Sequence, residues 1–88
     1  MIPDNFLEVF IITNDRESLS YCHKSIDNQT VSLPVSVISG MSFVDANNKA
    51  LRDCKSKFYF RIDDDFILNK HAFAFMCNVL KNHKNSNN

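Results

Sequence analysis

One stretch constrains this chain more than any other, because an apolar run leads directly into three consecutive aspartates. Phe58–Ile62 is mostly apolar and predicts a buried β-strand, and Asp63, Asp64 and Asp65 follow it without a break. A strand that ends in carboxylates presents hard oxygen ligands at the sheet edge where open α/β sheets bind ligands. Such closely spaced like charges cost free energy unless a cation or hydrogen-bond donors offset them. The stretch therefore predicts a divalent metal ion together with a phosphate-bearing ligand.

Length, composition and charge limit the classes of protein to consider. The 88 residues suffice for one small domain, and 44% of them are apolar, which is not a disordered composition. Basic and acidic residues balance at 10 each, so a nucleic-acid partner is not expected. No apolar run approaches the roughly 18–20 residues that span a bilayer. We therefore predict a chain with no membrane span.

The N-terminus and the cysteines predict a reducing, cytoplasmic location. The first residues lack the basic region and long apolar core of a signal peptide. Three cysteines, Cys22, Cys54 and Cys77, are an odd number without C-x-x-C spacing. They are interpreted as small, buried or half-buried thiols rather than as disulfides or zinc ligands.

Three strands alternate with three helices along the chain. Strand 1 is predicted at 7–13, helix 1 from Asn14 or Asp15 as cap to about 28, and strand 2 at 35–38. Helix 2 begins after Ser42, strand 3 is the opening stretch, and helix 3 spans about 70–82 after Asn69 as cap. One side of helix 2 is predicted to carry Phe43, Ala46, Asn47, Ala50, Leu51 and Cys54. Residues 1–82 form the predicted domain and 83–88 a polar tail.

This order predicts an α/β, Rossmann-like fold with a three-stranded parallel sheet. If helices 1 and 2 cover opposite faces, helices lie on both faces and the strand order is 2-1-3. The switch point then lies between strands 1 and 3, where Thr13, Asn14 and Asp15 meet Asp63–Asp65. Helix 1 starts at the same crevice, so its free N–H groups are placed to receive a phosphate.

Four motifs in this order resemble the nucleotide-binding half of family 2 glycosyltransferases, which have the GT-A fold. Thr13–Glu17 resembles the family's T-Y-N-R-E turn, and Ser25–Thr30 resembles its S-[IL]-x-x-Q-T helix end. Ala46–Asn48 resembles the A-R-N segment, and Ile62–Asp65 resembles the D-x-D motif at a matching distance. The resemblance covers nearly the whole chain from Leu7 to about Leu80 and implies a partial GT-A fold.

The resemblance also implies a ligand and a role for each matched residue. A nucleotide-diphospho-sugar, most simply a UDP-sugar, would bind with Mn²⁺ or Mg²⁺, hard cations that prefer oxygen ligands. Asp65 would hold the metal, with Asp63 as second candidate ligand facing the nucleotide and Asp64 as helper. The remaining predicted donor-binding positions are Thr13, Asn14, Asp15, Arg16 and Asn48.

The chain departs from the family pattern at several positions. The usual base-binding aspartate after strand 2 is missing, and Asn14 stands where an aromatic residue that stacks on the base is common. Asn47 replaces the arginine of A-R-N, and no acidic residue follows Asp65. The sequence therefore predicts no catalytic residue and a chain that lacks the acceptor half. Sugar transfer would need that half, and the alternative is a non-catalytic donor-binding remnant or interaction module.

Simpler interpretations stand beside these. The three aspartates also suit a solvated turn that caps helix 3, and Asn48 also suits an exposed helix surface. Arg61, a charged residue inside an apolar strand, is expected to pair with an aspartate, and the alternatives are that it snorkels to the surface or contacts the donor phosphate. Phe66, Phe73, Phe75 and Met76 are interpreted as core, or in part as a surface that a partner covers.

Two further possibilities remain open. A receiver-like signalling domain is the third functional class, although Asp15 stands alone on strand 1 where receivers carry an acidic pair. The exposed sheet edge predicts either a homo-oligomer or a partner chain that covers it.

Overall fold

The computed structural model describes residues 5–14 and 16–86, and gives no side-chain surroundings for residues 16 and 83–86. Three strands and three helices alternate, as the sequence predicts. Their order is β1 (Leu7–Thr13), α1 (Arg16–Asp27), β2 (Val35–Ser39), α2 (Phe43–Asp53), β3 (Phe58–Asp63) and α3 (Ala72–Ser86). The predicted tail 83–88 therefore begins inside α3, which continues to Ser86 rather than ending near Asn82.

The three strands form one parallel sheet in the order β2-β1-β3, which confirms the predicted topology. β1 lies in the centre, with Val9 opposite Val35 on one side and Phe60 on the other. Thr13 is opposite Ser39, and Ile12 is opposite Asp63. The carboxyl ends of all three strands therefore meet at one edge of the sheet.

Helices cover both faces of the sheet. On one face, Val9, Ile11 and Ile62 pack with Cys22 of α1 and Phe73 of α3, each no more than 1% exposed. The alternation of side chains along a strand sends Phe10 and Ile12 of β1 to the other face. There they pack with three buried residues of β2 and α2, namely Ile38, Ala46 and Ala50.

Several large apolar side chains are more exposed than their sequence pattern suggests, and the interpretation of Phe66 and Phe75 as core is wrong. Phe43 and Leu51, predicted on the same side of helix 2 as Ala46 and Ala50, are 49% and 64% exposed, because only the small residues of α2 approach the sheet closely. Phe66 and Phe75 are interpreted from the sequence as core together with Phe73, or in part as a surface that a partner covers. They are 44% and 69% exposed, while Phe73 is buried. Apolar side chains thus extend beyond what this sheet and its three helices cover.

The end of α1 is tied to the start of α3 by one side chain, Gln29. Its Nε2 donates to Ser25 O at 3.1 Å and to Asn69 O at 2.7 Å, and its Oε1 accepts from Phe73 N at 2.9 Å. The backbone adds Thr30 N to Lys70 O at 2.9 Å. The first turn of α3 contains no Asp or Glu that could accept from its free N–H groups. The side-chain oxygen of Gln29 satisfies one of these groups instead.

We expect Gln29→Ala to lower the free energy of unfolding by about 1–3 kcal/mol, because it leaves a partly buried N–H group and two carbonyl groups without their hydrogen-bond partner. Gln29→Glu keeps an acceptor for Phe73 but removes both donors, so it should also destabilise the domain. Asn28→Ala, at the exposed neighbouring position, is the control. Chemical denaturation measures all three, and equal midpoints for Gln29→Ala and Asn28→Ala would contradict this role.

The loop between α2 and β3 is held by the one charged residue of β1. The Glu8 carboxylate accepts from Lys55 N at 2.5 Å and from Ser56 N at 3.2 Å. Burial alone would raise the pKa of Glu8, but hydrogen bonds from the Cys54 thiol and these two backbone groups lower it overall. The ionised form of Glu8 is therefore more stable in the folded protein than in the unfolded chain.

A carboxyl group whose pKa is lowered on folding contributes stability above its unfolded pKa, and that contribution is lost as the pH falls through the folded value. We expect Glu8→Gln to cost roughly 1 kcal/mol at neutral pH, since neutral hydrogen bonds replace charged ones near solvent. The cost should shrink as the pH falls below about 4.5, the ordinary value for Glu. Unfolding curves from neutral to acid pH test this against Asp27→Asn, an exposed carboxylate. A cost that does not change with pH would contradict it.

Candidate functional site

A crevice of about 400 Å³ opens at the carboxyl ends of β1 and β3. Its lining comes from these two strand ends and from the first residue of α2. The lining residues are Ile12, Thr13, Asn14, Phe43, Asp63, Asp64 and Asp65. The structure therefore brings together two polar segments that are about 50 residues apart in sequence, at the predicted switch point.

The two segments are joined by a hydrogen bond between side chains. Thr13 Oγ1 donates to Asp64 Oδ2 at 2.6 Å. Thr13 is 5% exposed, and Asp64 is half-buried. A short bond to an ionised acceptor in partly buried surroundings is stronger than a neutral one. It closes β1 against the turn after β3, so the middle aspartate acts partly as a structural residue.

Asn14 connects the crevice to the loop after β2. Its Oδ1 accepts from Gly40 N at 3.2 Å, so this oxygen is engaged away from helix 1, where the sequence suggested a cap. Gly40 is the only glycine of the chain and has φ +76°, a conformation that side-chain-bearing residues rarely adopt. α1 begins at Arg16, and the alternative cap, Asp15, lies outside the described residues.

Asp63 and Asp65 are the exposed members of the triplet. β3 ends at Asp63, whose carbonyl accepts from Phe66 N at 3.2 Å, so the chain turns sharply at the aspartates. Within residues 5–14 and 16–86, no three His, Cys, Asp or Glu side chains converge as a ready-made metal cage.

Within residues 5–14 and 16–86, Arg61 pairs with no aspartate, contrary to the sequence prediction. Its Nη1 donates to Asn47 Oδ1 at 2.8 Å, and its guanidinium lies 4.4 Å from the centre of the Phe43 ring. Arg61 is opposite Phe10 in the sheet, and Phe10 packs under α2, so the side chain of Arg61 lies on the face where Asn47 can reach it. Asn47, which stands where the family has arginine, is thus the partner of an arginine from the neighbouring strand.

Three other predicted positions have different outcomes. Asn48 lies on the surface of α2 and is not part of the crevice lining. Asp15 lies outside the described residues, and the side chain of Arg16 does too, so their predicted donor contacts stay predictions. The amino terminus of α1 nevertheless starts within three residues of Thr13.

Ile12 and Phe43 line the crevice although sequence reasoning did not predict them there, and Phe43 is the exposed one of the two. The sequence places it on the apolar side of helix 2, but it is the first residue of α2 and lines the crevice with about half of its surface exposed. A signal is present in the sequence, because Ser42 marks the helix start. Ser42 is the N-cap, and its side chain accepts from Asp45 N at 3.2 Å. The residue after a cap at the carboxyl edge of a parallel sheet is close to the ligand-binding crevice.

The carboxylates of the crevice affect the pKa of a cysteine in the core beneath it. Burial raises the pKa of the Cys22 thiol, and the charges of Asp64 and Asp65 raise it further. Cys22 is fully buried in α1 and packs with Ile11 and Ile62. A protonated, enclosed thiol is a packing residue and not a nucleophile.

The described cysteines Cys22, Cys54 and Cys77 are all free thiols, as predicted. No helix in the described part of the chain is both long enough and apolar enough to cross a bilayer. The sequence matches no model of a protein family and no curated protein. The fold is that of an α/β domain of Rossmann-like organisation with a three-stranded parallel sheet.

Thr13→Val replaces the hydroxyl with a methyl group of similar shape and leaves the Asp64 carboxylate without this donor. We expect a loss of about 1–3 kcal/mol in the free energy of unfolding. Thr13→Ser keeps the hydroxyl and should retain most of the stability. Denaturant unfolding of the two variants isolates the hydroxyl, and a Thr13→Val variant at least as stable as Thr13→Ser would show that the bond contributes nothing.

Proposed function

We propose that this domain binds a nucleotide-diphospho-sugar, with a UDP-sugar as the simplest donor, through a divalent metal ion at Asp63–Asp65. The observation that carries the proposal is the crevice at the carboxyl ends of β1 and β3, where these carboxylates meet Thr13 and Asn14. The class of protein proposed is a family 2-like glycosyltransferase with a partial GT-A fold, or the donor-binding part of one. Three free cysteines favour a cytoplasmic location.

Electrostatics in the crevice supports a metal ion as part of the ligand. The described lining carries three carboxylates and no Lys or Arg. A diphosphate entering this field alone would be repelled, whereas a divalent cation offsets both sets of charges. The amino terminus of α1 adds N–H groups and the positive end of a helix dipole to the same edge.

The exposed carboxylates can supply part of the coordination sphere of Mg²⁺ or Mn²⁺. Asp64 has one oxygen engaged by Thr13, and Asp63 and Asp65 are exposed. Asp65 is the proposed principal ligand and Asp63 the second. These cations commonly use one or two carboxylates and complete their coordination with substrate phosphates and water. Metal and donor are therefore expected to bind together, and each only weakly alone.

Phe43 supports the nucleotide part of the proposal. The family commonly has a stacking aromatic where this chain has Asn14, and here Phe43 supplies a ring to the crevice from α2. Arg61 lies over that ring and half of the Phe43 surface stays exposed. Stacking of a base on an aromatic ring contributes about 1–3 kcal/mol, so Phe43 is our candidate for the nucleoside contact.

Transfer of the sugar requires a base within hydrogen-bond reach of the acceptor hydroxyl. No Asp or Glu follows Asp65 in the 88 residues, and no residue of this crevice is assigned that role. The proposal for these residues is donor binding, and transfer is proposed only in combination with a base from elsewhere. A donor-binding module without turnover is the second candidate, favoured by the partly structural role of Asp64.

Thermal unfolding with UDP-glucose or UDP-N-acetylglucosamine, with and without Mn²⁺, tests the proposal. Ligand at about 100 times its dissociation constant stabilises a folded domain by about 2.7 kcal/mol. In a domain of this size that raises Tm by roughly 10–20 °C. We expect this shift only when nucleotide-sugar and metal are present together, since the coordination sphere needs both.

Asp65→Asn should abolish the shift, and Phe43→Ala should weaken donor binding while leaving the metal requirement unchanged. Asp27→Asn removes an exposed carboxylate outside the crevice and serves as the matched control. A folded wild-type domain with no metal-dependent shift would overturn the proposal. Hydrolysis or transfer of the sugar, lost in Asp65→Asn, would separate an enzyme from a binding module.

A further inference from the structure

We propose that a second copy of this chain docks along the outer edge of β3, so that two β3 strands pair antiparallel around a two-fold axis at Phe60. β3 is an edge strand, since the sheet order is β2-β1-β3. The paired molecules then share one continuous sheet that contains the strands of both copies. This goes beyond donor binding and does not depend on it.

β3 has backbone N–H and C=O groups on its outer edge that can pair with a further strand. Phe58 N donates to Phe6 O at 2.9 Å, and β1 and β3 are parallel over Phe58–Asp63. In a parallel ladder the direction of the backbone groups alternates, so Tyr59 and Arg61 direct their N–H and C=O groups away from β1. These outward groups form a template for a further strand.

The charges along β3 are self-complementary in an antiparallel pair. Lys57 directly precedes the strand, and Asp63 is its last residue. With Phe60 opposite Phe60, the exposed Lys57 lies beside Asp63 of the second copy. Opposite charges across a strand pair are stabilising, so one pair of ions at each end favours this arrangement.

The apolar and aromatic residues of β3 fit the same register. It places Tyr59 opposite Arg61 of the second copy, an aromatic ring beside a cation. Phe58 then faces Ile62, so apolar residues meet apolar residues. No residue of the strand is paired with a like charge in this arrangement.

Charge also selects this register over its neighbours. Side chains directly opposite each other in a sheet must lie on the same face, so the strands can shift only by steps that keep odd residues opposite odd residues. The next register in one direction places Arg61 opposite Arg61. The next in the other direction places Lys57 opposite Arg61. Like charges directly opposite are destabilising, so both neighbouring registers are less favourable than the register centred on Phe60.

An apolar groove of about 280 Å³ beside this edge matches the same occupant. It lies between β3 and α3, and its lining is Leu7, Phe58, Tyr59, Phe60, Phe75, Met76, Val79 and Leu80. Phe75 and Val79 of α3 are 69% and 45% exposed. A two-fold axis perpendicular to the sheet brings the α3 helices of both copies to the same face, where these side chains cover each other.

Two single variants and their mixture test the strand pairing. Lys57→Glu sets two carboxylates against each other at both ends of the dimer, and Asp63→Lys sets two ammonium groups against each other at the same places. We expect the dissociation constant of each variant to rise about tenfold or more. In a mixture of the two variants, an acidic side chain meets a lysine at both ends, so a heterodimer should form with near wild-type affinity. Sedimentation equilibrium measures the mass of each sample, and circular dichroism checks that each variant is folded.

The groove has its own test in a matched pair of substitutions. Phe75→Glu should convert the dimer to monomer, whereas Ile67→Glu should not, although Ile67 is equally exposed at 72% and lies outside the groove. A wild-type chain that stays monomeric at high concentration overturns the proposal. A dimer that forms but is unaffected by Phe75→Glu, or variants that do not associate when mixed, would overturn this mode of docking.

Discussion

The burial of β1 on both faces is the constraint on which the rest of the structure depends. Val9 and Ile11 are fully buried under α1 and α3, while Phe10 and Ile12 are buried under α2. A central strand of seven residues in so small a domain must have a neighbour on each side and a helix layer on each face. The order 2-1-3 satisfies this requirement and brings the ends of β1 and β3 together.

Polar side chains then fix the connections that the apolar core leaves undefined. Glu8 holds the loop before β3, Gln29 holds the start of α3, and Thr13 holds the turn at Asp64. Each joins segments more than 40 residues apart in sequence, with partners that are mostly backbone groups or a carboxylate. A small core gives marginal stability. The positions of these loops and turns therefore depend strongly on a few hydrogen bonds.

The sequence predicts the fold well because periodicity and caps are local signals. The bounds of β1 and the Ser42 cap of α2 are as predicted, and so is the parallel order of the sheet. Prediction fails where the outcome depends on which faces the tertiary structure leaves uncovered, as for Phe66 and Phe75. The candidate site follows the same division, since its position at the switch point follows from strand order. The partner of Arg61 depends instead on how α2 sits on the sheet, and no local pattern reveals that.

Asp63 has a further consequence, because the two proposals assign it to two different partners. It ends β3 at the crevice, and it also faces Lys57 of a second copy in the proposed dimer. A cation bound at the crevice and the lysine of the second copy would then compete for one carboxylate. Competition of this kind is reciprocal: the factor by which metal weakens self-association equals the factor by which self-association weakens metal binding. A single exposed side chain would thereby make assembly and ligand occupancy antagonistic.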